Sequence, residues 1–576
     1  MLKRSIVMVR RNRKMQIAAW ILLLWAAAIF ADNCFVTNHP TSDPAPSVLS
    51  YNGVEKVYFY CTQDKINAGN GDYPIDTIHC YSTTDMYHWK DEGVSLNEQS
   101  VPWAKPNVDK LWAPHIVYLK GLYRLIVPET STDGKFYNFV ATATNPVGPY
   151  TANPALPGSV ANVIDPFIFI DSTTDNTVWL SYRHQDGMNL GFVQMNDSAT
   201  KVTGDINNSL VNVGAGAPSG YKEGSWMWKR GNFYFLVFAG VPGSGNEIIG
   251  YSTAHTRTGP WTYRGQIFAQ NNNPSEFTIH SGACQFKGQW YVFYHNVTFG
   301  GSIFGTERCS AIEYVTYLND STINTAAIAK TNRGVGVPSA YDDSIQVDRG
   351  VITGASSVAI AYNAGGTEKT GWYIGSITNN ASVVYDSVDF TPSAGNKIGT
   401  VMARVSSTNA SSSIEVHIGS PTGALLGVIA VPSTGGLTTW TTTPTATLTA
   451  IPPTGHQNLA LVFKSGSSNA LQVNWVKFGQ VPATSIKMGD SYIDRSGFTV
   501  KRPDKNKFNV VCGGAASGAQ VKIFNINGRE NVPALGAISF ASNIMVITLD
   551  PRNLGPGAYI LSVKNKGRTA QLPFMY

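Results

Sequence analysis

Three carboxylic acids in this 576-residue chain stand in similar surroundings. Asp43 lies in Thr41-Ser-Asp-Pro-Ala-Pro46, Asp165 in Val163-Ile-Asp-Pro-Phe167 and Glu223 in Lys222-Glu-Gly-Ser-Trp-Met-Trp-Lys229, each ahead of an apolar, strand-like run. Crowding carboxyls in a site shielded from water raises the pKa of at least one of them, through desolvation and like-charge repulsion. The result is a protonated acid beside an ionised base, the pair that cleavage of a glycosidic bond requires. Taken singly, an Asp-Pro is a common turn opener and a Glu before Gly caps a loop. Their register with a repeat sets these three apart.

The repeat consists of a turn followed by a short aromatic-rich strand, five times over: Gly53–Tyr60, Gly121–Val127, Asn176–Tyr182, Gly231–Phe238 and Gly288–Tyr294. The starts lie 68, 55, 55 and 57 residues apart, and eight to eleven residues before them stand Asp43, Trp112, Asp165, Glu223 and His280. Strand repeats of this length read as propeller blades, in which one residue per repeat converges on a central axis. Each repeat continues into a polar-edged strand such as Ile78-His-Cys-Tyr-Ser82, giving the three or more antiparallel partners that stability needs. The expected fold class is all-β, with a propeller over residues 32–335, a Ser-, Thr- and Val-rich β-sandwich or jelly roll over 341–479, and a small β-domain over 496–576. Thr331 to Ala340 reads as the linker after the propeller.

Asp43-Pro-Ala-Pro46, Trp112-Ala-Pro-His115, Asp165-Pro166, Glu223-Gly-Ser-Trp-Met-Trp-Lys-Arg230 and His280-Ser-Gly282, taken in order, resemble glycoside hydrolase family 43 over residues 40–335. The resemblance implies a five-bladed propeller and an inverting mechanism on arabinofuranosyl or xylosyl linkages, with no cofactor in the chemistry. Carried over residue by residue, it implies Asp43 as the general base that activates water, Glu223 as the general acid and Asp165 as the residue that tunes and orients the acid. Trp112 is then an apolar wall against the sugar or a blade-packing residue. Arg308, in Thr306-Glu-Arg-Cys-Ser310, matches a family arginine beside the acids. His280 is similar to the axial histidine that in some members holds Ca2+ with waters. Calcium prefers oxygen ligands, so a hydrogen-bonded role in the substrate pocket is the other reading. Inversion needs carboxyls about 6.5–9.5 Å apart, against roughly 5–5.5 Å for retention. A β-xylosidase, an endo-arabinanase and a silent polysaccharide-binding propeller are the alternatives. A retaining invertase-type enzyme carries Asn-Asp-Pro-Asn-Gly where this chain has Asp43-Pro-Ala-Pro.

The second domain resembles carbohydrate-binding module family 6, on Gly427 to Gly436, Thr439-Trp-Thr-Thr442, Leu459 to Lys464 and Val473-Asn-Trp-Val-Lys-Phe478. Leu437 stands where that family usually has an aromatic, and Gln472 where an Asn often begins the last strand. Trp372 and Tyr373 offer a substitute aromatic platform, or belong to the core. The third domain resembles C-terminal sorting or attachment modules of secreted bacterial enzymes, on Val521 to Arg529 and Gly557 to Val563.

Residues 1–31 read as a secretory signal: six basic residues precede an apolar run of about 15 residues, short for a membrane span. Without that segment the formal charge falls from +6 to zero, divided as −7 over 32–480 and +7 over 481–576. The basic balance of the full chain therefore gives no reason to expect nucleic acid binding. The expected protein is an extracellular monomer acting on plant cell-wall polysaccharide, with the basic third domain attached to acidic cell-surface polymer or merely solvated. The six cysteines show no metal-ligand spacing. Cys61 and Cys80, on successive strands, either pair or remain buried thiols.

Overall fold

The computed structural model describes residues 29–30, 34–36, 39–65, 73–155, 158, 161–206, 210–215, 217, 221–241, 247–269, 278–296, 308–328, 334–353, 357–362, 369–483, 491–493, 499–504, 506–511, 519–525, 530–531, 535–541, 544–555, 558–565 and 568–575. Apart from a few 3-10 turns, every regular element described is a β-strand. Five antiparallel sheets follow one another from Ser42 to Val315. Their first strands are Ser42–Tyr51, His115–Leu119, Val163–Ile170, Glu223–Arg230 and Ser281–Phe286. Each of the five aromatic runs forms the second strand of its sheet.

The turns explain the glycines that open those runs. Asn52 and Gly53 have φ of 51° and 76°, and Lys120 and Gly121 have 52° and 79°. Two successive residues with positive φ are what a tight hairpin between right-twisted strands demands. The first strands pack against one another in sequence order, and Ser281–Phe286 packs back on Ser42–Tyr51, so the sheets surround a common axis. That last contact depends on Gly282. A Cβ there would lie 2.5 Å from Pro46 Cδ and 2.6 Å from the Pro44 carbonyl oxygen.

The chain lead-in reinforces the same seam. Phe35 N–H and Thr41 N–H donate to the Ser310 and Arg308 carbonyls, at 3.3 and 2.8 Å, so the lead-in lies along the last strand of the fifth sheet, Cys309–Val315. A disulfide joins Cys34 to Cys309 across 275 residues of sequence. Cys61 and Cys80 remain thiols. Cys80 is in register with Tyr60, so it shares a face with Tyr60 and points away from Cys61. Cys80 and Cys61 accordingly belong to different hydrophobic clusters. Cys512 lies outside the described residues.

Two further sheets, of six and seven strands, enclose a core that includes Val383, Val416, Leu461, Phe463, Val473 and Val476. The six-stranded sheet includes Ile29–Phe30, paired with Val351–Ile352. The rest of the expected signal segment lies outside the described residues. In the expected linker, Gly334–Ala340 are described: Val335 and Ala340 are buried, and Ala340 N–H donates to the Asp389 carbonyl at 2.9 Å. By contacts the chain divides into two units, 1–392 with 398–480 and 393–397 with 481–576. The second unit holds a five-stranded and a three-stranded sheet over a core that includes Phe508, Ile523, Met545, Ile547 and Leu561.

Closing a loop of this length removes, on the chain-entropy account, up to about 5 kcal/mol of denatured-state entropy. Cys34→Ser should therefore unfold at lower temperature than wild type in a calorimetric scan without reductant, and wild type in reductant should follow it. An unchanged unfolding temperature would show that the bond carries no closure energy.

Candidate active site

The three acids stand at three β-bulges. In the first sheet the register runs from Ser42 opposite Thr62 to Ala45 opposite Tyr60, one residue more on the inner strand than on its partner. The same extra residue occurs between Ile164 and Phe167, and between Glu223 and Trp226. No such shift interrupts the first strands of the second and fifth sheets. A bulge re-aims a side chain that would otherwise follow the pleat. Asp43 and Asp165 carry the left-handed backbone themselves, each with φ 51°. In the fourth sheet Gly224 takes that conformation, φ 60°, and leaves Glu223 one position ahead of it. Gly224 is also short of space: a Cβ would lie 3.2 Å from the His280 ring.

A cavity of about 200 Å³ opens at this end of the axis, lined by Asp43, Trp112, Asp165, Glu223, His280 and Arg308 among others. All six residues that the sequence marks in the first domain therefore meet in one place. Among the described residues it is small, and all five sheets or the segments leading into them contribute to it. Asp43, Asp165, Glu223, His280 and Arg308 are each no more than 9% exposed.

Asp43 is built to stay ionised. Thr62 Oγ1 donates to its Oδ2 at 2.7 Å, and Arg308 Nη1 approaches its Oδ1 at 3.3 Å. Burial alone would raise its pKa, but the Arg308 charge above all, with His280 and the Thr62 hydroxyl, holds it below the usual carboxylate range. Arg308 is anchored in turn by Asp64, which accepts from Nη2 at 2.8 Å and from Nε at 3.0 Å. Asp43 N–H donates to His295 Nδ1 at 2.9 Å. Burial then holds that imidazole far below its ordinary pKa, so it remains a neutral acceptor. His280 Nδ1 lies 3.8 Å from Asp43 Oδ1.

Glu223 is displaced the opposite way. Burial is the largest cause of a strong rise in its pKa, and the carboxylates of Glu247 and Asp165 add to it. Arg183 Nη1, 3.4 Å from Glu223 Oε2, pulls downward without cancelling the rise. Asp165 Oδ2 accepts the Gly224 N–H at 3.0 Å, tying the third sheet to the backbone beside Glu223. Burial raises Asp165 too, opposed by His280 and Arg183. One cavity thus holds two carboxyls pushed in opposite directions, Asp43 toward the ionised form and Glu223 toward the protonated form.

Trp112 is half-buried; its Nε1–H donates to the Tyr73 carbonyl at 3.1 Å, and its ring packs on Phe136 at 4.8 Å. The Arg308 guanidinium lies over the Tyr73 ring at 4.7 Å. Among the described residues no three His, Cys, Asp or Glu side chains group as a metal site. His280 faces Asp43 and Gly224 and, among the described residues, offers calcium one imidazole without a cage of oxygens, a poor fit to a cation that prefers oxygen ligands.

Tyr73, Thr62, Asp64, Arg183, Glu247 and His295 are absent from the sequence reading. Thr62, Asp64, Arg183 and His295 lie one to four residues past the ends of aromatic runs. In a hairpin the start of the first strand and the end of the second share one edge, and that position was the available signal. In the sandwich, Tyr373 and Gln472 hydrogen-bond through their side chains, Gln472 Oε1 accepts from Ser406 Oγ at 2.9 Å, and the Tyr373 ring meets Trp440 edge-on at 5.2 Å. The Trp372 side chain lies outside the described ones.

Two carboxyls shifted in opposite directions in one cavity of a ring of sheets are the equipment of a glycosidic-bond hydrolase. Residues 39–323 match the model of Glycosyl hydrolases family 43, and the chain is a glycoside hydrolase. Residues 352–480 match Carbohydrate binding module (family 6). The chain is 27% identical over 505 residues to an arabinoxylan arabinofuranohydrolase of Paenibacillus polymyxa, covering 78% of this chain and 76% of that one. It is 25% identical over 545 residues to an arabinoxylan arabinofuranohydrolase of Bacillus subtilis (strain 168), covering 81% of this chain and 100% of that one. A crystal structure of a glycoside hydrolase family 43 arabinoxylan arabinofuranohydrolase from Bacillus subtilis, in complex with cellotetraose, aligns at a TM-score of 0.47 and 24% identity, over 77% of this chain and 97% of that one.

Thr62→Val removes a hydroxyl that favours ionised Asp43 and keeps the side-chain shape. Asp43 should then ionise at higher pH, moving the acidic limb of the kcat/KM profile upward by about half a unit to one unit. An unmoved acidic limb would show that the Thr62 contact does not set the ionisation of Asp43.

Proposed function

We propose that this protein is an exported, inverting, exo-acting hydrolase that removes arabinofuranosyl side groups from arabinoxylan. The opposed shifts of Asp43 and Glu223 within one cavity carry the reading. The fold assigned to the first domain is a five-bladed β-propeller, supported by five successive sheets around one axis. Asp43 removes a proton from water as that water attacks the anomeric carbon. Glu223 protonates the departing glycosidic oxygen as the carbon–oxygen bond breaks. The sugar leaves with inverted configuration, and exchange with solvent returns Asp43 to its ionised form and Glu223 to its protonated form. Asp165 holds the backbone beside the acid through Gly224 and helps keep the acid protonated. Trp112 and Tyr73 wall the sugar, Arg308 fixes Asp43, and His280 closes the pocket between Asp43 and Gly224. The reaction uses carboxyl groups and water and needs no cofactor.

Size supports removal of single units, because a cavity of about 200 Å³ is below the roughly 300–1,000 Å³ that holds larger ligands. The arabinofuranohydrolase relatives, aligned through both matched domains, favour arabinose over xylose and arabinoxylan as the polymer. In the sandwich, the half-buried Tyr373, Trp440 and Gln472 are assigned to gripping the polysaccharide, since aromatic rings and amides are what sugar rings bind. The disulfide agrees with an oxidising, extracellular setting. The basic third domain is assigned to cell-surface attachment, and the enzyme is taken to act as a monomer.

Glu223→Gln should lose about 10²–10⁴-fold in arabinose release from arabinoxylan, read by product chromatography, while still binding the polymer. Arabinan and aryl glycosides serve as comparison substrates. Equal release by variant and wild type would overturn Glu223 as the acid, and release of xylose alone would overturn the side-group assignment. Proton NMR should show the inverted anomer first; initial retention would overturn the single-displacement mechanism.

A further inference from the structure

Glu247 stands one residue before the strand Ile248–Ala254 and is 2% exposed. One of its carboxylate oxygens accepts the Ile279 N–H at 2.7 Å, and the other pairs with Lys222 Nζ. Burial pushes the Glu247 carboxyl up, while Lys222 and the Ile279 N–H oppose that rise; since both oxygens accept, hydrogen bonding favours the ionised form at this site. Lys222 immediately precedes Glu223, and Ile279 immediately precedes His280. Glu247 thus clamps the residue before the acid to the residue before the axial histidine, across the seam between the fourth and fifth sheets. Burying a carboxylate is costly unless it is paired.

We propose that Glu247 is a positioning residue for Glu223, its buried negative charge, held between Lys222 and Ile279, keeping the proton on the acid. The inference rests on the reading of Glu223 as the general acid. Among the described residues, the groups that face Glu223 are Asp165 and Arg183 from the third sheet, Tyr73 from a loop of the first, Tyr221 and Lys222 from its own lead-in, and Glu247. His280 and Asp43 act on Asp165, and through it on the pair. After burial, Glu247 is the largest influence raising Glu223, ahead of Asp165, while Arg183 and Lys222 oppose it. The two members of the Glu247–Lys222 couple therefore push the acid in opposite directions, so their variants separate an effect of charge from a loss of the clamp.

The test is the pH profile of kcat/KM on an aryl arabinofuranoside for wild type, Glu247→Gln, Lys222→Gln and Glu223→Gln. In Glu247→Gln the alkaline limb, set by ionisation of the acid, should move to lower pH by about one unit. In Lys222→Gln, whose amide still donates to Glu247, that limb should move to higher pH. The acidic limb, set by Asp43, should stay in place in both. Should Glu247→Gln fail to fold, the upward move in Lys222→Gln supports the proposal and its absence overturns it. Movement of both variants in one direction, or lower activity with an unmoved limb, would overturn it as well. An alkaline limb that persists in Glu223→Gln would instead overturn the assignment of the acid, which keeps the two failures apart.

Discussion

Negative charges gathered around one axis and shut away from water are the constraint on which this structure turns. Asp43, Asp64, Asp165, Glu223 and Glu247 are all buried, and two unit charges about 4 Å apart in such surroundings interact by roughly 4 kcal/mol. Asp165 accepts a backbone N–H, from Gly224, and the other four each have a cation beside them. Arg308 lies between Asp64 and Asp43, Lys222 beside Glu247, and Arg183 near Glu223. Compensation is nearly complete at Asp43 and incomplete at Glu223. The imbalance is what separates a base from an acid whose side chains start from similar intrinsic acidity.

Backbone geometry delivers the charges to that place. Regular inner strands would point alternate side chains into the sheet packing; one extra residue turns an acid toward the axis instead. At Asp43 and Asp165 the cost is a left-handed backbone on a non-glycine residue, of order 1–3 kcal/mol each, which persists only where surrounding structure enforces it. The His295 contact with Asp43 N–H and the Gly282 approach to Pro44 and Pro46 supply that enforcement at the seam where the ring closes. The disulfide and the strand-like lead-in act at the same seam. Closure of the ring and competence of the base are therefore linked, since Arg308, just before the last strand of the fifth sheet, accepts the lead-in's Thr41 N–H and also fixes Asp43.

Much of this was legible in the sequence because it is periodic. Turn, aromatic strand and preceding polar residue recur at a near-constant interval, so Asp43, Trp112, Asp165, Glu223 and His280 could be placed on one axis without coordinates. Arg308 came from the family resemblance, not from the spacing. Asp64, Arg183 and His295 sit just past the aromatic runs, at the edge the first strands share, a signal that hairpin geometry offers but that residue type alone does not single out; Glu247, further from its run, has no such offset to mark it. The Cys34–Cys309 pairing was hidden because it joins the two ends of a ring, a proximity that only closure creates. Cys61 and Cys80 show the converse, being close along the chain and on opposite faces of one sheet.

The central claim is that the ring holds Asp43 ionised and Glu223 protonated at neutral pH. Difference infrared spectroscopy of the carboxyl stretches, comparing wild type with Glu223→Gln and with Asp43→Asn, reads both states directly. The account predicts that Glu223→Gln removes a protonated carboxylic-acid band and that Asp43→Asn removes an ionised carboxylate band. Loss of an ionised band in both variants would contradict it.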